Sequence, residues 1–298
     1  MATAVTIGNF DGVHLGHAAL IRAAREAAGQ SGRVVAMAFD PHPLSRLRPG
    51  MAPARLTGFD HRAALLRSAG ADEVERLEPT EALLAETPEE FIRNVVVRYR
   101  PSVIVEGDDF HFGKGRAGTP ATLDVLGRAW GFRAVVVPPV EVELSDQLMV
   151  RASSSLVRWL LAHGRVRDAA IVLGRPYELR GEVVRGDQRG RTIGFPTANI
   201  ATECHVPGDG VYAARATLPD GRVAAAAVNI GTRPTFAGAD RRVEAHLIGV
   251  TPGGAEYGWR CALSLISRLR DQVRFDSVDR LRTQLSSDVA RARNLISA

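Results

Sequence analysis

Lysine is almost missing from these 298 residues: Lys114 is the one lysine among 38 basic side chains. Arginine supplies the rest of a formal net charge of +5. The arginines alternate with acidic residues, and no basic run carries interleaved aromatics, so a nucleic-acid tract is not expected. A modest positive field suits anionic small molecules instead. Cysteine is scarce as well. Cys204 and Cys261 are too few for a disulfide framework or a cysteine metal site, and a reduced, cytoplasmic setting is the expectation. No apolar run has the length that spans a bilayer, and the N-terminus lacks a basic segment followed by an apolar one, so neither a membrane nor a leader is expected. Internal repeats and low-complexity tracts are also lacking. What remains is a globular composition, 45% hydrophobic and 24% charged, in a chain long enough for two cores.

The first half alternates strand-like and helix-like stretches. Val34–Phe39, Ser102–Val105 and Ala134–Val137 read as strands rich in β-branched residues. Asp60–Ser68, Pro88–Tyr99 and Thr122–Trp130 read as helices, with two shorter ones at Leu156–Leu161 and Val166–Val172. Such alternation predicts an α/β, doubly wound domain with a parallel sheet, whose ligands bind outside the carboxyl ends of the strands. The texture changes after Leu173-Gly174-Arg175-Pro176. Short alternating runs separated by turns such as Pro207-Gly208-Asp209-Gly210 predict a small β-barrel, closed by an amphipathic helix over Ser277–Ile296. The boundary is expected near 170–174, giving residues 1–171 and 172–298.

One segment carries most of the chemistry. A short apolar run, Ala4–Ile7, is followed by Gly8-Asn9-Phe10-Asp11-Gly12-Val13-His14-Leu15-Gly16-His17, and then by a helical pattern with Leu20, Ile21, Ala24 and Ala28. A glycine turn between strand and helix aims backbone N–H groups at the positive helix terminus, a site for phosphate. His14 and His17, three apart, share a helix face. There they can grip a triphosphate and offset charge developing at its α-phosphorus. This suits nucleotidyl transfer.

The segment resembles the ATP-binding signature of the bacterial bifunctional riboflavin kinase/FAD synthetase family. The likeness runs from about Val5 to Arg293. Phe39-Asp40-Pro41-His42-Pro43 is similar to a family segment that shapes the flavin and nucleotide site, without implying a catalytic role for Asp40 or His42. Asp109, Phe110, Phe112 and Gly113 fall in a stretch similar to the family's Asp-Phe-x-Phe-Gly loop; the two phenylalanines read equally as ligand platforms or as core. Ser153, Ser154, Ser155 and Arg158 resemble the second phosphate-binding element, Ser-Ser-Thr-x-Ile-Arg, with Ser155 and Val157 as mild departures. Arg158 keeps the planar charged fork that suits phosphate oxygens. The resemblance implies attack by the FMN phosphate on the α-phosphate of ATP, with Mg²⁺ on the ATP phosphates and His14, His17 and Arg158 as the catalytic groups.

Gly186-Asp187-Gln188-Arg189-Gly190-Arg191-Thr192-Ile193-Gly194-Phe195-Pro196-Thr197-Ala198-Asn199 resembles the riboflavin kinase signature. Gly210-Val211-Tyr212, Asn229–Phe236 and Val243-Glu244-Ala245-His246 extend the likeness. It implies that Thr197 and Asn199 hold Mg²⁺ and that the loop of Gly190, Arg191, Gly194 and Pro196 cradles ATP. It also implies a base in a segment Leu-Arg-x-Glu-x-x-Phe, where this chain has Leu269-Arg270-Asp271-Gln272-Val273-Arg274-Phe275. Glutamine accepts no proton, and Asp271 beside it could substitute only after a local shift, since neighbours in an extended chain point to opposite faces. The stretch Gly249–Gly254 departs from the family as well. The leading expectation is therefore ATP- and Mg²⁺-dependent conversion of riboflavin to FMN and of FMN to FAD. Two alternatives stay open: adenylylation alone, on FMN or a modified flavin, and a non-catalytic flavin nucleotide sensor. Self-association is not legible in a single sequence.

Overall fold

Alternating small and branched residues from Thr3 to Gly8 build the central strand of a parallel sheet. In this computed structural model the described residues are 1–186, 189–235, 238–250 and 257–297. Asp187, Gln188, Phe236 and positions 251–254 of the departing stretch lie outside them. The chain divides into two units, Met1–Val142 with Met149–Ser154, and Glu143–Leu148 with Ser155–Ala298.

The first unit runs β1 (Thr3–Gly8), α1 (Leu15–Ala28), β2 (Arg33–Phe39), α2 (Leu44–Leu47), α3 (Phe59–Ser68), β3 (Glu73–Leu77), α4 (Glu81–Ala85) and α5 (Pro88–Tyr99). It continues through β4 (Val103–Gly107), α6 (Pro120–Trp130), β5 (Arg133–Val137) and a two-stranded ribbon of β6 (Glu141–Glu143) and β7 (Met149–Arg151). The sheet order is β3-β2-β1-β4-β5, all parallel. Period-two alternation divides its side chains between two cores. Val5, Ile7, Val35, Met37 and Ile104 meet Phe91, Ile92 and Leu123 on one face. Ala4, Val34, Ala36 and Val103 meet Ile21, Ala24 and Leu66 on the other.

Strand order reverses at β1, the place where such folds open a crevice. β1 pairs with β4 only through Ala4–Val103 and Val5–Ile104, although it follows β2 through to Gly8–Ala38. Beyond that parting, the Ile7 N–H donates to Oε1 of Glu106 at 2.7 Å.

Most expected elements are present, with α5 spanning Pro88–Tyr99 as read from the sequence. Its N-terminus is fixed by a capping box between Thr87 and Glu90, with Pro88 in the first turn. Strand β3 was not expected. It lies at the sheet edge and reads Glu-Val-Glu-Arg-Leu, so its charged side chains conceal the apolar signal.

The second unit holds α7 (Ser154–Ala162, from Ser155 on), α8 (Val166–Leu173), β8 (Tyr177–Val184), α9 (Arg189–Thr192), β9 (Ala198–Ala201) and β10 (Gly210–Thr217). It ends with β11 (Val223–Thr235), β12 (Gly238–Leu247), β13 (Arg260–Arg270) and α10 (Val278–Ser297). The strands close an antiparallel barrel in the order β10-β11-β12-β9-β8-β13, leaving no open edge. Helix α10 packs Val289 and Ala292 against Val211, Ala213 and Leu269. The stripe Leu281, Leu285 and Val289 also faces a cavity.

Candidate active sites

Phe10 (φ 47°), Gly12 (φ 80°) and Val13 (φ 42°) bend the chain from β1 into α1. Two non-glycine residues in the left-handed region store strain of the kind that collects at ligand sites. His14 caps α1: its Nδ1 accepts the Gly16 N–H at 3.1 Å, which leaves the ring proton on Nε2, the form that donates to a phosphate oxygen. The His14 and His17 rings stack with centroids 3.7 Å apart, and the Phe10 ring meets His17 edge-on at 5.3 Å. A Cβ on Gly16 would sit 3.0 Å from His14 Cε1, so only glycine leaves this ring its place. No acidic residue occupies the first turn of α1, and its positive end stays available to an anion. Ser154 Oγ donates to the Asp11 carbonyl at 2.7 Å, which brings the serine element against the glycine turn. Ser153 precedes it, and Ser155 and Arg158 stand on α7 in the second unit, Ser155 exposed and Arg158 half-buried.

The carboxylates of both motifs serve as scaffold. Asp11 accepts the N–H groups of Leu56 and Thr57, at 2.9 and 3.0 Å, together with the Thr57 hydroxyl. The Thr57 Oγ1 in turn accepts the Gly12 N–H at 3.1 Å. Asp40 is the counter-ion of Arg62 at 2.9 Å, with Arg55 at 3.4 Å. The Arg62 guanidinium also donates to the carbonyls of Asn9 and Phe39, so one buried fork ties the two motifs together. Burial lowers the Arg62 pKa, while Asp11 and Asp40 pull it back up. Thr57 and Arg62 were missed by sequence reasoning, because each acts across more than twenty residues. Asn9, Asp40 and His42 line a small cavity of about 150 Å³ with Arg55 and Arg62. His42 Nδ1 accepts the Leu44 N–H at 3.1 Å, closing the turn into α2.

The loop after β4 sets both of its aromatics against the first core. Phe112 is buried in the first core, stacked on Phe110 at 5.2 Å and near Phe91 at 6.2 Å. Phe110 packs partly against the same core. Gly113 (φ 71°) has no room for a Cβ, which would lie 2.7 Å from Pro88 N. Asp109 is largely exposed and pairs with Arg151 at 3.2 Å.

In the second unit, a cavity of about 990 Å³ lies between the barrel and α10. Gly190, Thr197, Asn199, Asn229, Glu244 and Gln272 line its polar side; Leu281 and Leu285 contribute to its apolar side. Arg191, Gly194 and Pro196 are not among its lining residues. His246 Nδ1 lies 2.8 Å from the Pro196 carbonyl and steadies the loop before Thr197. A Cβ on Gly190 would meet the Phe195 carbonyl at 2.2 Å, so the backbone closes tightly there. Gln272 Nε2 donates to Asn229 Oδ1 at 2.8 Å. Asp271 points elsewhere: it pairs with Arg268 at 2.6 Å and does not line the cavity. Of the carboxylates that do, Asp288 is fully buried against Arg270 at 2.7 Å, and Asp276 pairs with Arg280 at 3.0 Å. Glu244 of β12 is in register with Asn199 of β9 and Asn229 of β11. The barrel ladder thus sets a carboxylate beside the Pro-Thr-Ala-Asn segment.

A parallel sheet with a strained glycine turn and stacked imidazoles, joined to a closed barrel with a polar cavity, defines a nucleotide-dependent transferase of two units. The comparisons agree. Residues 1–149 match the FAD synthetase family and residues 173–296 the riboflavin kinase family. The chain is 37% identical over 292 residues to the bifunctional riboflavin kinase/FMN adenylyltransferase of Escherichia coli (strain K12), covering 97% of this chain and 91% of that protein. It is 34% identical over 293 residues to the protein of the same description in Haemophilus influenzae, covering 97% and 93%. A crystal structure from Streptococcus pneumoniae, described as a macrolide-efflux protein, superposes with a TM-score of 0.88 at 31% identity, covering 98% of this chain and 94% of that one. The chain belongs to the bifunctional riboflavin kinase/FMN adenylyltransferase family. It is an enzyme that uses ATP to phosphorylate riboflavin to FMN and to adenylylate FMN to FAD; the adenylylation-only and sensor readings are not favoured. Among the described residues, no helix is long and apolar enough to cross a membrane.

Proposed function

We propose that the two reactions run at separate sites, adenylylation at the glycine turn and phosphorylation in the barrel cavity, carried by residues 1–171 and 172–298. The observation that carries this reading is the stacked His14–His17 pair at the positive end of α1. In adenylylation an FMN phosphate oxygen bonds to the α-phosphorus of ATP and pyrophosphate leaves. No protein nucleophile is needed, so positioning and charge stabilisation supply the rate. His14 donates from Nε2 to the developing charge, His17 braces its ring, and the turn Gly8–Gly12 with Ser153 and Ser154 receives the phosphates. Arg158 joins this set on the family resemblance.

In phosphorylation a ribityl hydroxyl bonds to the γ-phosphorus, ADP leaves, and the hydroxyl proton needs an acceptor. Glu244 is the carboxylate we assign to that role. Gln272, bonded to Asn229, orders the cavity wall. Oxygen donors on Thr197 and Asn199 suit a hard cation that also keeps waters and substrate phosphates as ligands. These residues would hold Mg²⁺, which supplies charge neutralisation on the ATP phosphates. Use of ATP and the scarcity of cysteine support a cytoplasmic setting.

Purified protein with Mg²⁺-ATP, given riboflavin or FMN separately, tests the placement. His14→Ala should lose FAD formation by at least about a hundredfold, on the scale of removing one transition-state donor, and should keep FMN formation. Equal loss of both products refutes two separate sites.

A further inference from the structure

We propose that Glu106 is a positioning residue for adenylyl transfer: its carboxyl stands in for a strand carbonyl where β1 and β4 part, and so sets the glycine turn. The geometry carries this. Each of the two strands continues to its end along its outer neighbour, through Gly8–Ala38 and Gly107–Val137. Between them the ladder stops at Val5–Ile104. Two residues further on, the Ile7 N–H again faces the β4 side and would have no partner there. Glu106 Oε1 supplies one at 2.7 Å.

An apolar side chain would be the cheaper tenant of this place. Glu106 is 1% exposed, and among the described residues no basic side chain pairs with it. Such a carboxyl is tolerated in the interior when it is neutral and hydrogen-bonded. Burial pushes its pKa well above the carboxylate range, and the charge of Asp109 adds to the push. The next residue after Ile7 is Gly8, where an added Cβ would sit 3.3 Å from the Phe10 ring. Phe10 in turn meets His17. A shift at Ile7 is therefore passed through Gly8 and Phe10 to the imidazole pair.

The inference rests on placing adenylylation in the first unit. It is tested in the full chain with Glu106→Gln and Glu106→Leu, each assayed for both reactions with ATP varied. Glutamine keeps an acceptor for Ile7 N–H, and its FAD formation should stay within about threefold of the parent. Leucine removes the acceptor, and kcat for FAD formation should fall about tenfold to a hundredfold, the scale of a misplacement near 1 Å. KM for ATP should change far less, and FMN formation should be unchanged in both. The proposal is overturned if the leucine variant keeps its FAD-forming kcat, if glutamine is as damaging as leucine, or if FMN formation falls in parallel. His14→Ala, run alongside, separates the failures. Retained FAD formation there sinks the placement of the site, whereas its loss beside an active Glu106→Leu enzyme sinks only the role of Glu106.

Discussion

Asp288 offers a sharp test of how α10 encloses the barrel cavity. Its carboxylate is fully buried and accepts Arg270 Nε at 3.0 Å on both oxygens and Arg270 Nη2 at 2.7 Å. Gln284 Nε2 donates to the same group at 2.9 Å. Asp288→Ala would leave the Arg270 guanidinium without its counter-ion. Breaking a buried pair from one side costs about 3–5 kcal/mol. The Arg270 side chain is 18% exposed and keeps the Asp271 carbonyl, so the lower end, about 3 kcal/mol, applies. For a unit of this size that corresponds to a thermal midpoint lower by about 6–12 °C. The assay is residual FMN formation after stepwise heating. The midpoint for FMN formation should drop, and KM for riboflavin should rise as the helix loosens. A midpoint within about 2 °C of the parent, with riboflavin KM unchanged, refutes the view that this ion pair holds the helix over the cavity.

Three further outcomes are expected. Glu244→Gln should lower kcat for riboflavin phosphorylation by about two to four powers of ten, the range for a lost general base. Gln272→Glu should change it by less than about threefold, and the reverse ranking would return the base to the segment at 269–275. Gly16→Ala forces the His14 ring to move and should cut FAD formation at least about tenfold while sparing FMN formation, measured by separating the products of each reaction. Glu106 also makes a prediction about pH. Its folded pKa is raised, so the folded state binds the proton more tightly than the unfolded chain does. Its contribution to stability is therefore complete below the unfolded value near 4.3, and is lost as pH rises toward the folded value. Denaturant unfolding of the first unit between pH 5 and 8 should show Glu106→Gln gaining on the parent as pH rises. A constant gap between the two would contradict a neutral Glu106.

The residues that were readable in sequence are those whose partners are close in the chain. Thr87, Pro88 and Glu90 lie within one turn, and α5 was read to the residue. The glycine turn and the His14–His17 spacing are likewise local. Asp11 and Asp40 were recognised as motif members, but their task was not. Their partners, at positions 56, 57 and 62, arrive only when α3 and the residues before it fold back on the loops after β1 and β2. Strand β3 escaped because an edge position permits Glu73, Glu75 and Arg76 in a five-residue strand. The cavity carboxylate escaped for a third reason. Glu244 sits 45 residues beyond Asn199, and only the antiparallel register of β9, β12 and β11 sets them side by side. Glu106 gave no motif signal at all, since it matters only where two strands part.

The most direct test of two independent sites is a mixing experiment with His14→Ala and Glu244→Gln, each supplied with riboflavin and Mg²⁺-ATP. Neither variant alone should produce appreciable FAD, and an equimolar mixture should, because FMN released by the first is a substrate for the second. A mixture that yields no more FAD than its components, although added FMN is converted by Glu244→Gln alone, would contradict the separation of the two activities.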